Sequence, residues 1–587
     1  MQYELISERN TKCYRAIETI FKNRGFYVDD IPHYLNTTDE DVFAPQLLDN
    51  MEEGAEILLN CIKEKKKAFI IPDVDADGFT SAAILINYLS IIAPDWIENY
   101  LTYEINEGKE HGIILDNIPE DVSLVICPDS ASNDYEQHKI LKDKGVQVLV
   151  LDHHDAEYVS PDACVINNQL CNYPNKSLSG AGIVYKFCCF LDYKLGVREA
   201  NKFLDLTALG LISDMVSLKD FETRHLVKQG MANLRNPFFK SMRTKNSFSI
   251  GEKLTPIGIA FYITPYINAT IRMGSKSEKR TLFESMLDFK AYEEIPSTKR
   301  GYKGQVETRV EQACRNCTNI KNRQTRARDA SLERIEGLIK ENNLLDNKIL
   351  MVLLPKEINF EPALTGLIAN QLMAKYQKPV LLLREGDPTQ TESGPVILWS
   401  GSARGLNQST FDDFKEYITS TGMFELAQGH SNAFGAAIYG NKIQDFIEHS
   451  NLELANYDFN PSYKVDFIFE GSDFDASDII EIAQLKPFFG QGFEEPYVAL
   501  ENIVVTKENI SLMSRDKNPT LKIKLNNGCS LIRFKSSEEE YEQLCSTLGC
   551  VKINVVGRCE ENIWNGMTSA QIIISDMEIV SEQSYYF

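Results

Sequence analysis

Four short apolar runs in the first third of the chain, Ala68 to Ile71, Leu124 to Cys127, Val146 to Leu151 and Cys164 to Ile166, end abruptly in polar residues. None alternates with polar positions, which is the pattern of parallel strands covered on both faces. Helix-like stretches separate them, so an α/β unit with a parallel sheet is predicted. In such sheets ligands bind beyond the carboxyl ends of the strands. Three of the runs end in Pro72-Asp73, Pro128-Asp129 and Asp152-His153-His154, and a structural acid has no reason to favour one strand end.

The chain has 587 residues, and domains usually hold about 100–200, so several units are expected. Residues 1–66 read as a helical N-terminal segment and residues 67–304 as the unit above. From about Gln305 to Asn343 the sequence is charged and helix-forming, with no proline and only Gly337 as glycine, which predicts a long connecting helix over 305–345. A second α/β unit over 346–445, with runs at Ile349 to Leu354, Val380 to Leu383 and Val396 to Trp399, is predicted to contain another parallel sheet. Over 446–587 the runs shorten and turn β-rich, among them Val465 to Phe469, Leu521 to Leu525, Leu531 to Phe534, Ile553 to Val556 and Ile572 to Ile574, predicting a small barrel of the oligonucleotide-binding (OB) type.

No run approaches the roughly 18–20 apolar residues of a spanning helix, and charges occupy the N-terminus where a signal peptide is apolar. A cytoplasmic protein without membrane association is expected. The 13 cysteines sit among apolar neighbours, which suits reduced core thiols. Cys314 and Cys317 have CxxC spacing but lack the second pair of a zinc site. The net charge of -23 argues against a broad basic face for nucleic acid, although carboxylates gathered around cations would absorb part of the excess.

The segment IPDVDADGFTSAAILI sets Asp73, Asp75 and Asp77 two residues apart on the turn after a strand. Such acids repel one another, and hard divalent cations bind oxygen ligands of this kind. Asp129 and Asp152-His153-His154 add carboxylate and imidazole at neighbouring strand ends, a donor set that favours manganese or magnesium over a thiolate zinc site. Asp214, near the end of the apolar run LGLISDMV, reads equally as a helix cap or a further ligand.

In this order, DVDADG, PDSAS, DHH, SLSGAGIVYKF and ALGLISDMV resemble the DHH phosphoesterase superfamily, and within it the RecJ-like single-strand-specific exonucleases. EGKEHGI, ETRHLVKQG and INATIRMG fall in the matching order, so nearly the whole chain is covered. The resemblance implies two divalent ions, Mn2+ or Mg2+, held by Asp73, Asp75, Asp77, Asp129, His153 and Asp214. It further implies that Asp152 orients His153 and that His154 contacts the scissile phosphate, which makes Asp75, Asp77, Asp129, Asp152, His153, His154 and Asp214 the expected catalytic set. Lys109, His111 and Arg272 are expected to bind substrate. So are Ser402, Arg404, Gly429 and His430, in GSARG and GHSNAFGAAI, which resemble the phosphate-binding loops of the DHH-associated domain. There Gln428-Gly429 replaces the usual doubled glycine. In the last unit Lys522 and Lys524 share one strand face and Arg533 and Lys535 another, a basic stripe suited to single strands.

The resemblance thus implies a two-metal exonuclease of single-stranded DNA, 5′ to 3′, releasing 5′-mononucleotides in recombination or repair. The expected state is a monomer, with a single-strand-binding protein or a helicase as candidate partners. One alternative is a relative that cleaves oligonucleotides or cyclic dinucleotides, against which the added β domain argues because short substrates do not need that reach. The other is a non-catalytic replication or recombination scaffold, which would have lost ligands; here all six are present. The apolar tail Ser584-Tyr585-Tyr586-Phe587 reads as a packed or frayed terminus rather than a docking peptide.

Overall fold

The computed structural model describes residues 1–8, 15–106, 111–302, 304–358, 360–391, 394–406, 411, 413–514, 518–545 and 550–583. Lys109 and the tail Ser584 to Phe587 lie outside these. Residues 26–322 with 485–495 form one unit, and residues 1–25, 323–484 and 496–587 the other. The chain opens with strand β1 (Gln2–Leu5) and helix α1 (Ala16–Asn23), whose partners lie far along the sequence.

In the first unit β2 (Ala68–Ile70), β3 (Leu101–Tyr103), β4 (Leu124–Pro128), β5 (Gln147–Asp152) and β6 (Cys164–Asn167) form a parallel sheet in the order β3-β2-β4-β5-β6. The absence of alternation has its cause here. Ala68, Ile70, Leu124, Ile126, Leu149 and Leu151 face one core, whereas Phe69, Val125, Cys127, Val148 and Val150 face a second. The strand order reverses between β2 and β4, and at such a switch point the loops diverge and leave a crevice beyond the strand ends. Helices α2 (Ala76–Ile92), α3 (Gly180–Leu195) and α4 (Leu204–Ser213) are buried along most of their length, as their nearly unbroken apolar sequences require. A two-stranded ribbon, β7 (Glu294–Pro296) with β8 (Val306–Thr308), precedes the 33-residue helix α5 (Arg309–Glu341), so the start of the stretch expected to be helical is a strand. Cys314 and Cys317 are buried on α5 as free thiols.

The second unit corrects two expectations. Its five-stranded sheet, β12-β13-β11-β10-β9, comprises β9 (Leu350–Leu354), β10 (Val380–Thr391), β11 (Gly394–Arg404), β12 (Phe424–His430) and β13 (Ala433–Tyr439), and it is mixed rather than parallel. Only β9 and β10 run parallel; β10 and β11 are the arms of one antiparallel hairpin. The polar stretch between the two apolar runs continues the strands instead of crossing over.

The other sheet has eight strands in the order β1-β14-β15-β19-β20-β18-β17-β16, formed by β14 (Ser462–Glu470), β15 (Tyr497–Thr506), β16 (Ile510–Met513), β17 (Thr520–Lys524), β18 (Ser530–Phe534), β19 (Cys550–Trp564) and β20 (Met567–Gln583). The start of the chain is therefore not purely helical: β1 lies parallel beside β14, and Ala16 and Ile20 of α1 join the core under this sheet. Arg24 secures α1 through a buried ion pair with Asp466. Among the described residues no helix is long and apolar enough to cross a membrane.

Candidate metal centre

Each expected ligand of the first unit stands at the carboxyl end of the sheet because of where its element stops. Asp75 caps α2, its Oδ1 accepting from the Gly78 amide at 2.9 Å, so the turn from β2 carries Asp73, Asp75 and Asp77 into the crevice. Asp129 follows β4, Asp152 ends β5, and Asp214 is the C-cap of α4. Ligand-capable atoms of Asp73, Asp75 and Asp129 lie within 4.8 Å of one another, as do those of Asp77, His153 and Asp214, and those of Asp129, Asp152, His153 and His154. The first two groups meet where His153 Nε2 stands 3.3 Å from Asp129 Oδ1 and 3.6 Å from Asp214 Oδ2.

Asp73 Oδ1, Asp77 Oδ2, Asp129 Oδ1 and His153 Nε2 are all buried and have no hydrogen-bond partner. Each unsatisfied buried polar atom asks for an explanation, and four on residues of the two ligand groups fit divalent cations, which take carboxylate oxygen and neutral imidazole. Burial, reinforced by neighbouring aspartates, pushes Asp77 up to about 6 and Asp214 up to about 8 and raises Asp129 strongly. Burial and the charge of His154 hold His153 down at about 4, leaving the ring neutral, the form in which imidazole ligates.

Asp152, expected to orient His153, reaches both histidines. Its Oδ1 accepts from the His153 amide at 2.7 Å and from the His154 amide at 3.2 Å, and its Oδ2 accepts from the Ser132 amide at 3.0 Å. The ring that it holds belongs to His154, whose Nδ1 is 2.8 Å away. That hydrogen bond raises His154 to about 9, and the ring is 54% exposed at the mouth of the cluster. Asp152→Asn is expected to leave the fold intact, return His154 toward an ordinary imidazole pKa and cut kcat by about 10–100-fold, checked by histidine proton titration in NMR beside steady-state rates.

Small residues complete the centre, and the sequence reading missed them. Ser179 Oγ donates to Asp77 Oδ1 at 2.9 Å, and the Ala181 amide does so at 3.2 Å. A Cβ at Gly180 would lie 2.3 Å from Asp129 Oδ1, and one at Gly210 would lie 2.3 Å from Asp77 Oδ1. Both helices must approach the carboxylates without side chains. Asp129 and Ala131 adopt φ values of 70° and 79°, strain held at the loop that presents a ligand. SLSGAGIVYKF was a usable signal, since serine and two glycines open its helix.

Of the expected substrate contacts in this unit, His111 stands beside the cluster, with Nδ1 2.6 Å from Asp73 Oδ2. Arg272 is exposed on the helix Thr264–Met273. In the second unit, Arg404 and His430 both stand opposite Ala433, on neighbouring strands, and Ser402 stands opposite Gly435. Directly opposed residues share a sheet face, so these donors flank two positions with little or no side chain. Gly429 has a φ of 132°, and its carbonyl accepts from Lys415 Nζ at 2.7 Å. The basic stripe does not form. Arg533 is opposite buried Leu521, not on the face of Lys522 and Lys524, and it is paired with Glu540 at 3.0 Å.

Residues 67–211 match the family model for the DHH family, N-terminal domain, and residues 465–576 match the RecJ OB domain. Fold and site together define a DHH protein. The chain is 37% identical over 595 residues, 99% of its own length and 98% of the relative's, to the SPbeta prophage-derived YorK of Bacillus subtilis (strain 168), which bears the provisional name single-strand DNA-specific exonuclease. The single-stranded-DNA-specific exonuclease RecJ of the same organism is 24% identical over 97% of this chain and 68% of its own. The fold is also that of RecJ from Thermus thermophilus solved with Mn2+, with a TM-score of 0.69, 19% identity, and coverage of 97% of this chain and 76% of that one. The chain belongs to the RecJ family.

Proposed function

We propose that this protein is a divalent-metal-dependent exonuclease that hydrolyses phosphodiester bonds of single-stranded DNA from the 5′ end and releases 5′-mononucleotides, in recombination or repair. The observation that carries the reading is the gathering of Asp73, Asp75 and Asp129 and of Asp77, His153 and Asp214 into two adjoining ligand groups, in a chain aligned over 99% of its length with a relative named single-strand DNA-specific exonuclease.

Asp73, Asp75 and Asp129 would hold one ion, and Asp77, His153 and Asp214 the other. Bound Mn2+ or Mg2+ supplies a water nucleophile at neutral pH and neutralises charge on the phosphate oxygens. His154 is kept protonated and oriented by Asp152, and it offers its outer nitrogen as a charged donor to a non-bridging phosphate oxygen. Ser402, Arg404, Gly429 and His430 make a second anion-binding face, for which single-stranded DNA supplies the phosphates. Rates on a long single strand and on a dinucleotide test the substrate class: the long strand is expected to be cut faster, and faster dinucleotide cleavage would overturn the choice.

Ion binding is expected to be linked to pH. Carboxylates raised in the folded state destabilise the ion-free fold above their folded pKa values, and this penalty is relieved as pH falls through about 8 for Asp214 and about 6 for Asp77. Without metal the melting temperature should therefore be higher at pH 6 than at pH 8 on this account. Mn2+ at a hundredfold excess over its Kd adds about 2.7 kcal/mol at one site. This is a rise of roughly 5 °C for a protein of several domains. The rise should be larger at pH 8, where fewer protons must be displaced. Differential scanning calorimetry with and without Mn2+ at the two pH values checks both signs.

A further inference from the structure

The stretch 485–495 belongs to the catalytic unit, although it falls inside the region matched by the OB family model. It carries Lys486-Pro487-Phe488-Phe489-Gly490-Gln491-Gly492-Phe493, and none of these residues enters the metal centre. The segment instead packs against the turn that follows Asp214.

The Leu218 amide donates to the Gln491 carbonyl at 2.8 Å, and the Leu218 carbonyl accepts from the Tyr34 hydroxyl at 2.7 Å. Both backbone groups of this buried residue are thus satisfied from outside its own element. Two glycines allow the approach: a Cβ at Gly490 would lie 2.5 Å from Leu218 Cδ1, and one at Gly492 would lie 2.5 Å from Ser217 Oγ. Behind the segment, the guanidinium of buried Arg224 lies 4.1 Å from the Phe488 ring centroid and donates to the Pro487 carbonyl at 3.0 Å.

The turn needs such support. Met215, directly after the ligand, is a non-glycine residue at φ 57°, and at 62% exposure it contributes little packing of its own. A left-handed residue of this kind persists where its surroundings over-determine it. The first fully buried position after it is Leu218, where Gln491, Gly490 and Tyr34 meet.

We infer that the segment 485–495 is a positioning element of the metal centre, fixing the turn 215–218 and through it the Asp214 carboxylate. It therefore sets the affinity of the Asp77, His153 and Asp214 group for its ion and leaves the Asp73, Asp75 and Asp129 group unaffected. The inference rests on the metal-centre reading above. It is tested by calorimetric titration of Mn2+ into the full-length protein, the Gly490→Ala variant and the double variant Gly490→Ala/Leu218→Val, in which the shortened side chain makes room for the new methyl. The unaltered protein is expected to show two binding events. Gly490→Ala should weaken one by about tenfold and leave the other within about twofold, lowering kcat on single-stranded DNA without changing KM, and the double variant should recover the lost affinity. Equal weakening of both events, a lowered melting temperature with an unchanged isotherm, or no recovery in the double variant would overturn the inference. Failure of the unaltered protein to bind Mn2+ at all would overturn the metal-centre reading, and the inference with it.

Discussion

Asp129→Asn is expected to lower kcat on single-stranded DNA by on the order of 10³-fold, about 4 kcal/mol of transition-state stabilisation. Asp129 stands where the two ligand groups meet: it shares one group with Asp73 and Asp75, and its Oδ1 is 3.3 Å from His153 Nε2 in the other. Asparagine keeps the shape but removes the charge that a hard cation needs. The same change removes a buried carboxylate crowded by Asp77, Asp75 and Asp73, so the ion-free variant should melt no lower than the parent protein. Loss of rate with retained or raised melting temperature separates a ligand from a merely structural acid, and full activity would refute the assignment.

The second large effect is expected from Gly180→Ala, at the first residue of α3. Alanine is favoured over glycine in helices by about 1 kcal/mol, so on local grounds this change is harmless. Its Cβ, however, would meet Asp129 Oδ1 at 2.3 Å and Asp129 Cβ at 2.4 Å, closer than real Cβ contacts allow. The carboxylate must move, and a misplacement of about 1 Å can cost roughly 10²-fold in rate. Activity should therefore fall by about 10²-fold with weaker Mn2+ binding and, because the Asp129 Cβ must also give way, a lowered melting temperature, measured by Mn2+-dependence of rate, titration calorimetry and thermal unfolding. An alanine variant with parental Mn2+ affinity and rate would show that the close approach of α3 does not position the ligand.

What was legible in the sequence follows from how each feature is encoded. The parallel sheet was legible because strands buried on both faces leave unbroken apolar runs, and Asp73, Asp75, Asp77, Asp129 and His153 because charge at a strand end is conspicuous. The hairpin of β10 and β11 was not, since Arg384 to Thr391 is polar and reads as a loop while pairing as a strand across to Gly394 to Ser400. Strand β1 was hidden for another reason: Gln2 to Leu5 finds its partner at Ser462 to Val465, and four residues of sequence carry no trace of a contact that distant. The ring held by Asp152 depended on geometry after a strand end, which residue order does not specify. Gly180, Gly210 and Ser179 were missed as supports because a small residue announces nothing until the carboxylate it admits is seen beside it.

The central claim is metal-dependent digestion of single-stranded DNA from its 5′ end, and end-labelled digestion measures it most directly. A long single strand labelled at its 5′ end should release labelled 5′-mononucleotide at once in the presence of Mn2+ and none after chelation, whereas a strand labelled at its 3′ end should shorten progressively before its label becomes a mononucleotide. Labelled mononucleotide appearing first from the 3′ end, digestion that persists after chelation, or no digestion of the strand with Mn2+ present would contradict it.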